Sequence, residues 1–128
     1  MFLDIALLAL RAGVGLMLLL GHGLHKLTHF STIAPVFPDP LHVGKTLSLG
    51  LAVFAEVFCA AFVVVGIATR WAAVAILITM VVAVILVHTG TPWAERELAF
   101  FYGLVAFALI LTGPGRLSLD SIFGWIRR

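Results

Sequence analysis

A chain of 128 residues that is 62% hydrophobic and only 11% charged, with a mean hydropathy of +1.19, has too little polar surface to fold as a soluble domain. Its net charge of +2 is spread over single or paired cations, which excludes a basic patch for nucleic acid and assigns those residues to membrane anchoring. The single cysteine, Cys59, excludes an intrachain disulfide and says nothing about the redox compartment.

Taken in order, the chain offers four apolar blocks, at residues 3–27, 46–66, 71–88 and 98–112. A helix of about 20 residues crosses a hydrocarbon core about 30 Å thick, so each block is long enough or nearly so. The blocks lack the two-residue alternation of barrel strands, and backbone groups in lipid must bond within their own segment, so helices are expected. The first block does not read as a cleavable signal: Asp4 stands where positive residues belong and Arg11 interrupts the apolar run. The predicted fold is all-α, a four-transmembrane-helix bundle formed by residues 1–128 as one domain.

The connections differ in character. Residues 30–45 contain Pro35, Pro38 and Pro40, which predicts an extended, interfacial outer loop between the first two helices, of the kind that covers sites. GIATR is a tight turn with Gly66 as the helix stop, so the second and third helices are antiparallel neighbours. TGTPWAERE places Pro92 and Trp93 at the interface, with Glu95 and Glu97 at the start of the fourth helix, where carboxylates suit the macrodipole. The tail, GPGRLSLDSIFGWIRR, breaks at its glycines and proline and offers Ser118 or Asp120 as the N-cap of a short amphipathic segment. There Ile122, Phe123, Trp125 and Ile126 would lie in the interface and Arg127 and Arg128 would meet acidic lipid. Arg70, Arg116, Arg127 and Arg128 near one face outnumber Lys26, Lys45 and Arg96 near the other, which predicts both termini in the cytoplasm. His22, His25, His29, His42 and His88 then fall near the outer face.

Two charges lie inside the blocks. Counted from the same face at about 1.5 Å per residue, Arg11 is about 12 Å deep and Glu56 about 15 Å deep. Because an unpaired charge near mid-membrane costs at least about 2.5–3.5 kcal/mol, the two are expected to form a buried polar pair joining helices one and two, with a proton-handling or quinone-facing acid as the alternative for Glu56. Helical steps from Arg11 give Gly15, Leu18, His22, His25 and His29, which predicts one polar stripe. Three histidines at these spacings suit interfacial or quinone hydrogen bonding. Zinc or copper ligation is the other reading, using His22, His25 and His29, with His88, and with His42 or Glu95 from the loops. One helix cannot close such a site by itself. Gly13, Gly15, Gly21 and Gly23 are positions where a neighbouring helix could approach closely. Cys59 reads as inert core filler, and Phe100, Phe101 and Tyr102 could stack on a planar ligand.

Arg11 with its following glycines, the GHGLHKL segment, Glu56, VVVGIATR and the closing GPGRLSLD together resemble the DoxX family of small four-helix membrane proteins over nearly the whole chain. The resemblance implies a bacterial or archaeal protein of the cytoplasmic (inner) membrane, related to the small subunit of a quinone-reducing thiosulfate oxidoreductase. By it, Arg11 and Glu56 match the family's polar positions, while the three histidines are richer than the family pattern. The functional expectation is a membrane component of a redox system, possessing a quinone contact near the outer leaflet at His22, His25, His88 and Tyr102. A non-catalytic scaffold that docks a partner enzyme is the second reading, and copper or zinc handling the third. Self-association, or association with a partner redox subunit, is expected from the exposed small-residue faces.

Overall fold

In the computed structural model, which describes residues 1–87, 90 and 92–123 apart from the side chain of Glu95, the chain is helical nearly throughout. Four long helices carry the architecture: α1 (Phe2–Thr28), α3 (Lys45–Val65), α4 (Thr69–Val87) and α5 (Trp93–Thr112). Between the first two lie a short helix, α2 (Phe30–Ile33), and a 3-10 turn, Ala34–Val36; a last short helix, α6 (Leu119–Ile122), follows α5. Three of these, α1, α3 and α4, are long and apolar enough to cross a membrane. Helix α5 is twenty residues long, but its first turns carry Arg96 and Glu97 beside Glu95.

Membrane packing rules are visible in which residues face in. The interior between helices is built largely from small or branched side chains, such as Ala60, Val63, Ala72, Ala73 and Ala106, while Phe54, Phe58, Phe62, Trp71, Phe107 and Leu111 stay exposed on the outside. Where lipid surrounds the protein, large apolar groups gain nothing by turning inward, and association relies on close backbone approach. Gly15 and Gly23 of α1 provide that approach: a Cβ at Gly15 would lie 2.5 Å from Val64 Cγ2 and 3.0 Å from the Ala60 carbonyl, and one at Gly23 would run into the Glu56 backbone. Gly13 and Gly21 face open space instead, so two of the four glycines serve helix contact. Helix α4 packs along α3 and, most extensively, along α5, which returns to touch α1.

Three π turns interrupt the long helices among the described residues, at Leu19–Gly23, Phe54–Cys59 and Ala83–Val87. In the first, the Leu24 N–H reaches back five residues to the Leu19 carbonyl. A π turn inserts one residue into the helical count and so rotates everything beyond it. The packed face of α1 runs through Leu7, Arg11, Gly15 and Leu18 and then continues at Gly23, not His22. The single polar stripe expected from Arg11 to His29 is broken there: His22 is half-buried and His25 and His29 are exposed.

The outer loop also departs from expectation. Residues 30–36 make helical turns, because Pro35 falls in the first turn of the 3-10 segment, where a missing N–H costs nothing. After it, Asp39 organises the chain. Its carboxylate accepts from the Val43 N–H at 3.0 Å, the Gly44 N–H at 2.8 Å and the Ser48 hydroxyl at 2.8 Å, covering the start of α3. Lys45 Nζ donates to the Pro35 carbonyl at 3.2 Å. At the other end, Gly66 stops α3 with φ of +78° and its N–H bonds the Phe62 carbonyl at 2.8 Å, as the GIATR turn predicts.

Candidate functional site

The two buried charges are not partners. Arg11, fully buried, donates through Nε to the Pro114 carbonyl at 2.9 Å and through Nη1 to the Val63 and Val64 carbonyls at 3.1 Å each, and Nη2 donates to the Leu117 carbonyl. Glu56, also buried, accepts from Lys26 Nζ at 2.6 Å. The expected Arg11–Glu56 pair is therefore replaced by two separate centres. Depth counting failed because it began both helices at one level. Arg11 packs against Val63 and Val64 near the C-terminal end of α3, so the first turns of α1 run past Gly66 and meet the tail instead.

The centre around Arg11 is a knot of motifs far apart in sequence. Helix α3 ends in carbonyls that nothing in the helix can satisfy, and the guanidinium, with five N–H donors in a rigid fork, bridges two of them to the tail. Gly66 is required twice: by its positive φ, and because a Cβ would lie 2.5 Å from Ser118 Cβ and 2.8 Å from Arg11 Nη1. Of the two N-cap candidates, Ser118 is the one that caps α6, its Oγ accepting from the Ser121 N–H at 3.3 Å. Asp120 has a different task. Its carboxylate accepts from the Ala68 and Thr69 N–H groups at 2.7 and 2.9 Å, capping α4 from across the turn, while its own N–H bonds the Gly66 carbonyl at 2.8 Å. Asp4 accepts from the Arg116 N–H at 3.0 Å and ties the start of α1 to the same tail. Apart from the Ser121 N–H, which meets the Ser118 hydroxyl, these donors meet carbonyl or carboxylate, which is an arrangement for holding helices together.

The centre around Glu56 opens onto space. A cavity of about 380 Å³ lies between α3, α4 and the outer loop, within the usual range for a small-molecule site. Leu51, Ala52, Ile78, Val82, Ala83 and Val87 make its walls apolar; Phe37, Pro38, Pro40 and Leu41 roof it; and Lys26, Ser48, Glu56 and Thr79 supply its polar groups. Lys26 was not expected as a site residue. Its signal in the sequence was indirect: a buried carboxylate in α3 needs a cation, and α1 offers only Arg11 and Lys26. The π turn at Leu19–Gly23 decides between them, since it brings Gly23 onto the Glu56 backbone and Lys26, one turn later, over the Glu56 carboxylate.

The predicted ligand residues divide. His22 meets the buried Tyr102 edge to face, with ring centroids 5.7 Å apart. His25 and His29 stack on one another at 4.6 Å, and His29 Nδ1 lies 2.9 Å from Thr28 Oγ1. His88, with Trp125, Ile126, Arg127 and Arg128, lies outside the described residues. Among the described residues no three His, Cys, Asp or Glu side chains gather closely enough to hold a metal ion. His22, His25 and His29 thus form no metal cluster among themselves, since the π turn sends His22 toward α5 and leaves the other two outside. Cys59 is buried in the helical core. Phe100 packs against Trp93 at 5.3 Å, and Phe101 stays exposed.

Apolar helices with lipid-facing aromatics, small-residue contacts and an ion pair set in a cavity wall define a polytopic-type helical membrane protein. The DoxX family model matches residues 6–89, more than half of the chain, and the protein belongs to that family. No curated protein and no solved structure matches it significantly.

Proposed function

We propose that this protein is the membrane component of a redox system and that it takes a quinone into the Glu56–Lys26 cavity. In this reading all four long helices cross the cytoplasmic (inner) membrane, with both termini on the cytoplasmic side, and the whole chain acts as one DoxX-type domain. The observation that carries the reading is an apolar cavity whose charged lining, among the described residues, is one ion pair between buried Glu56 and half-buried Lys26. A quinone fits such a lining: an apolar ring and tail against Leu51, Ile78, Val82 and Val87, with oxygen atoms at the ring's ends. Lys26 Nζ is a donor suited to a carbonyl oxygen, and Glu56 is an acceptor suited to the hydroxyl of the reduced form. When bound, the quinone supplies two-electron redox chemistry. The chain binds it, keeps water from it under the outer loop, and can hold a proton on Glu56 Oε1 or Oε2.

The topology rests on the excess of Arg70, Arg116, Arg127 and Arg128 over Lys26, Lys45 and Arg96. The test is mass spectrometry of an organic extract, with elemental analysis, of the protein purified in mild detergent. Near-stoichiometric quinone that is lost in Glu56→Gln and Lys26→Met variants is expected. An extract without quinone, from protein that still binds a partner enzyme, would favour a docking subunit. Stoichiometric copper or zinc would favour metal handling.

A further inference from the structure

We infer that Asp39 is a positioning residue that latches the cavity roof to the cavity wall and so controls access to the Glu56–Lys26 pair. The inference rests on the cavity being a ligand site, as proposed above, and adds how it is closed. Roof and wall are different segments: Phe37, Pro38, Pro40 and Leu41 come from the loop, and Ser48 from α3. Asp39 sits in the middle of the roof, and its side chain bonds the wall through Ser48 Oγ at 2.8 Å. The same carboxylate holds the Val43 and Gly44 N–H groups, which fixes the turn joining loop to helix.

That turn is costly without the carboxylate. His42 adopts φ of +57° and Gly44 φ of +107°, both in the left-handed region, and a histidine there is held only by its surroundings. Three hydrogen bonds to one charged acceptor oppose that strain, and charge-assisted bonds are the strong kind. Remove the charge, and only apolar contact, with the exposed Lys45–Pro35 bond upstream of the roof, is left to hold the loop over the cavity.

The experiment is cysteine alkylation of the full chain in lipid nanodiscs. In a Cys59→Ala background, Thr79→Cys places a thiol on the cavity wall, and Ser31→Cys places a reference thiol on the exposed short helix α2 of the outer loop, outside the membrane-crossing helices. The probe is a small water-soluble maleimide, and the readout is the ratio of the two labelling rates. Asp39→Asn is expected to raise that ratio by about tenfold, and Ser48→Ala, which removes one bond of three, by about two- to fourfold. An unchanged ratio in both variants would overturn the latch. Reactivity of the native Cys59 in Asp39→Asn protein reports general unfolding; Ser48→Ala with Cys59 still protected then decides, and an unchanged ratio there also overturns the proposal. A short-chain quinone added to protein with its latch intact tests the site separately. If the quinone protects the thiol introduced by Thr79→Cys while Asp39→Asn has no effect, the quinone reading stands and the latch falls; the converse pattern does the opposite.

Discussion

A buried arginine with no carboxylate at ion-pair distance, among the described residues, is held by backbone carbonyls alone. Arginine suits this because its charge is delocalised over a fork that reaches several acceptors at once; an ammonium is a point donor on a flexible stem. Arg11→Lys is therefore expected to lose at least two of these bonds and about 2–5 kcal/mol of stability, read as a lowered midpoint in denaturant titration of the detergent-solubilised protein. Glu56 and Lys26 follow the other rule for buried charge, in which breaking a pair costs more than removing it. Lys26→Met is expected to destabilise by about 3–5 kcal/mol, and the Lys26→Met, Glu56→Gln double variant by clearly less. Additive costs in that cycle would show that the two side chains do not support one another.

At the scale of elements, helix contact and loop order are set by positions that composition treats alike. Gly15→Ala and Gly23→Ala force a Cβ into α3, so each is expected to cost about 1–3 kcal/mol. Gly13→Ala and Gly21→Ala meet nothing and remove helix-interior glycine, so they are expected to stabilise by about 0.5–1 kcal/mol. The four variants in one thermal-unfolding series check this. The outer loop should respond to acid through Asp39. Partial desolvation raises its affinity for a proton, but hydrogen bonds from Ser48, Gly44 and Val43, with His42 nearby, outweigh it and hold the carboxyl below its ordinary value of 3.8. A lowered folded value means that the latch contributes fully above about pH 4 and is lost as pH falls through the folded value. Hydrogen exchange of the Val43 and Gly44 amides, corrected for intrinsic rates, is expected to stay slow at pH 5 and to quicken below pH 4. The same correction in Asp39→Asn protein should leave a flat profile.

For the molecule as a whole, the knot at the terminus-bearing end makes the tail part of the helical core. Ending the chain at Thr112 removes the Pro114 and Leu117 carbonyls and the Asp120 cap of α4 together. Truncation is expected to lower the unfolding midpoint at least as far as Arg11→Lys does. Arg11→Leu should then cost less in the truncated protein than in the full chain, because half of what Arg11 binds is already gone. Equal costs in the two backgrounds would show the tail and Arg11 to be independent.

Hydropathy and turn chemistry alone determined the helices. The expected blocks 46–66 and 71–88 lie within a residue or two of Lys45–Val65 and Thr69–Val87, because apolar length and the glycine at 66 act locally. The expected block 98–112 became Trp93–Thr112, since carboxylates at a helix start extend it past its apolar part. Family membership, too, was legible in VVVGIATR, which lies within the matched residues 6–89, and the tertiary structure brings this motif together with GPGRLSLD: the Gly66 carbonyl accepts from the Asp120 N–H, and Ser118 packs over the Gly66 Cα. What only the tertiary structure decided was pairing. Arg11 finds Pro114 across 103 residues, and Lys26, not Arg11, reaches Glu56. Both outcomes follow from a one-residue π turn in α1 and from how far α1 overshoots the end of α3. Such register is set by packing between helices, and no count along a single helix contains it.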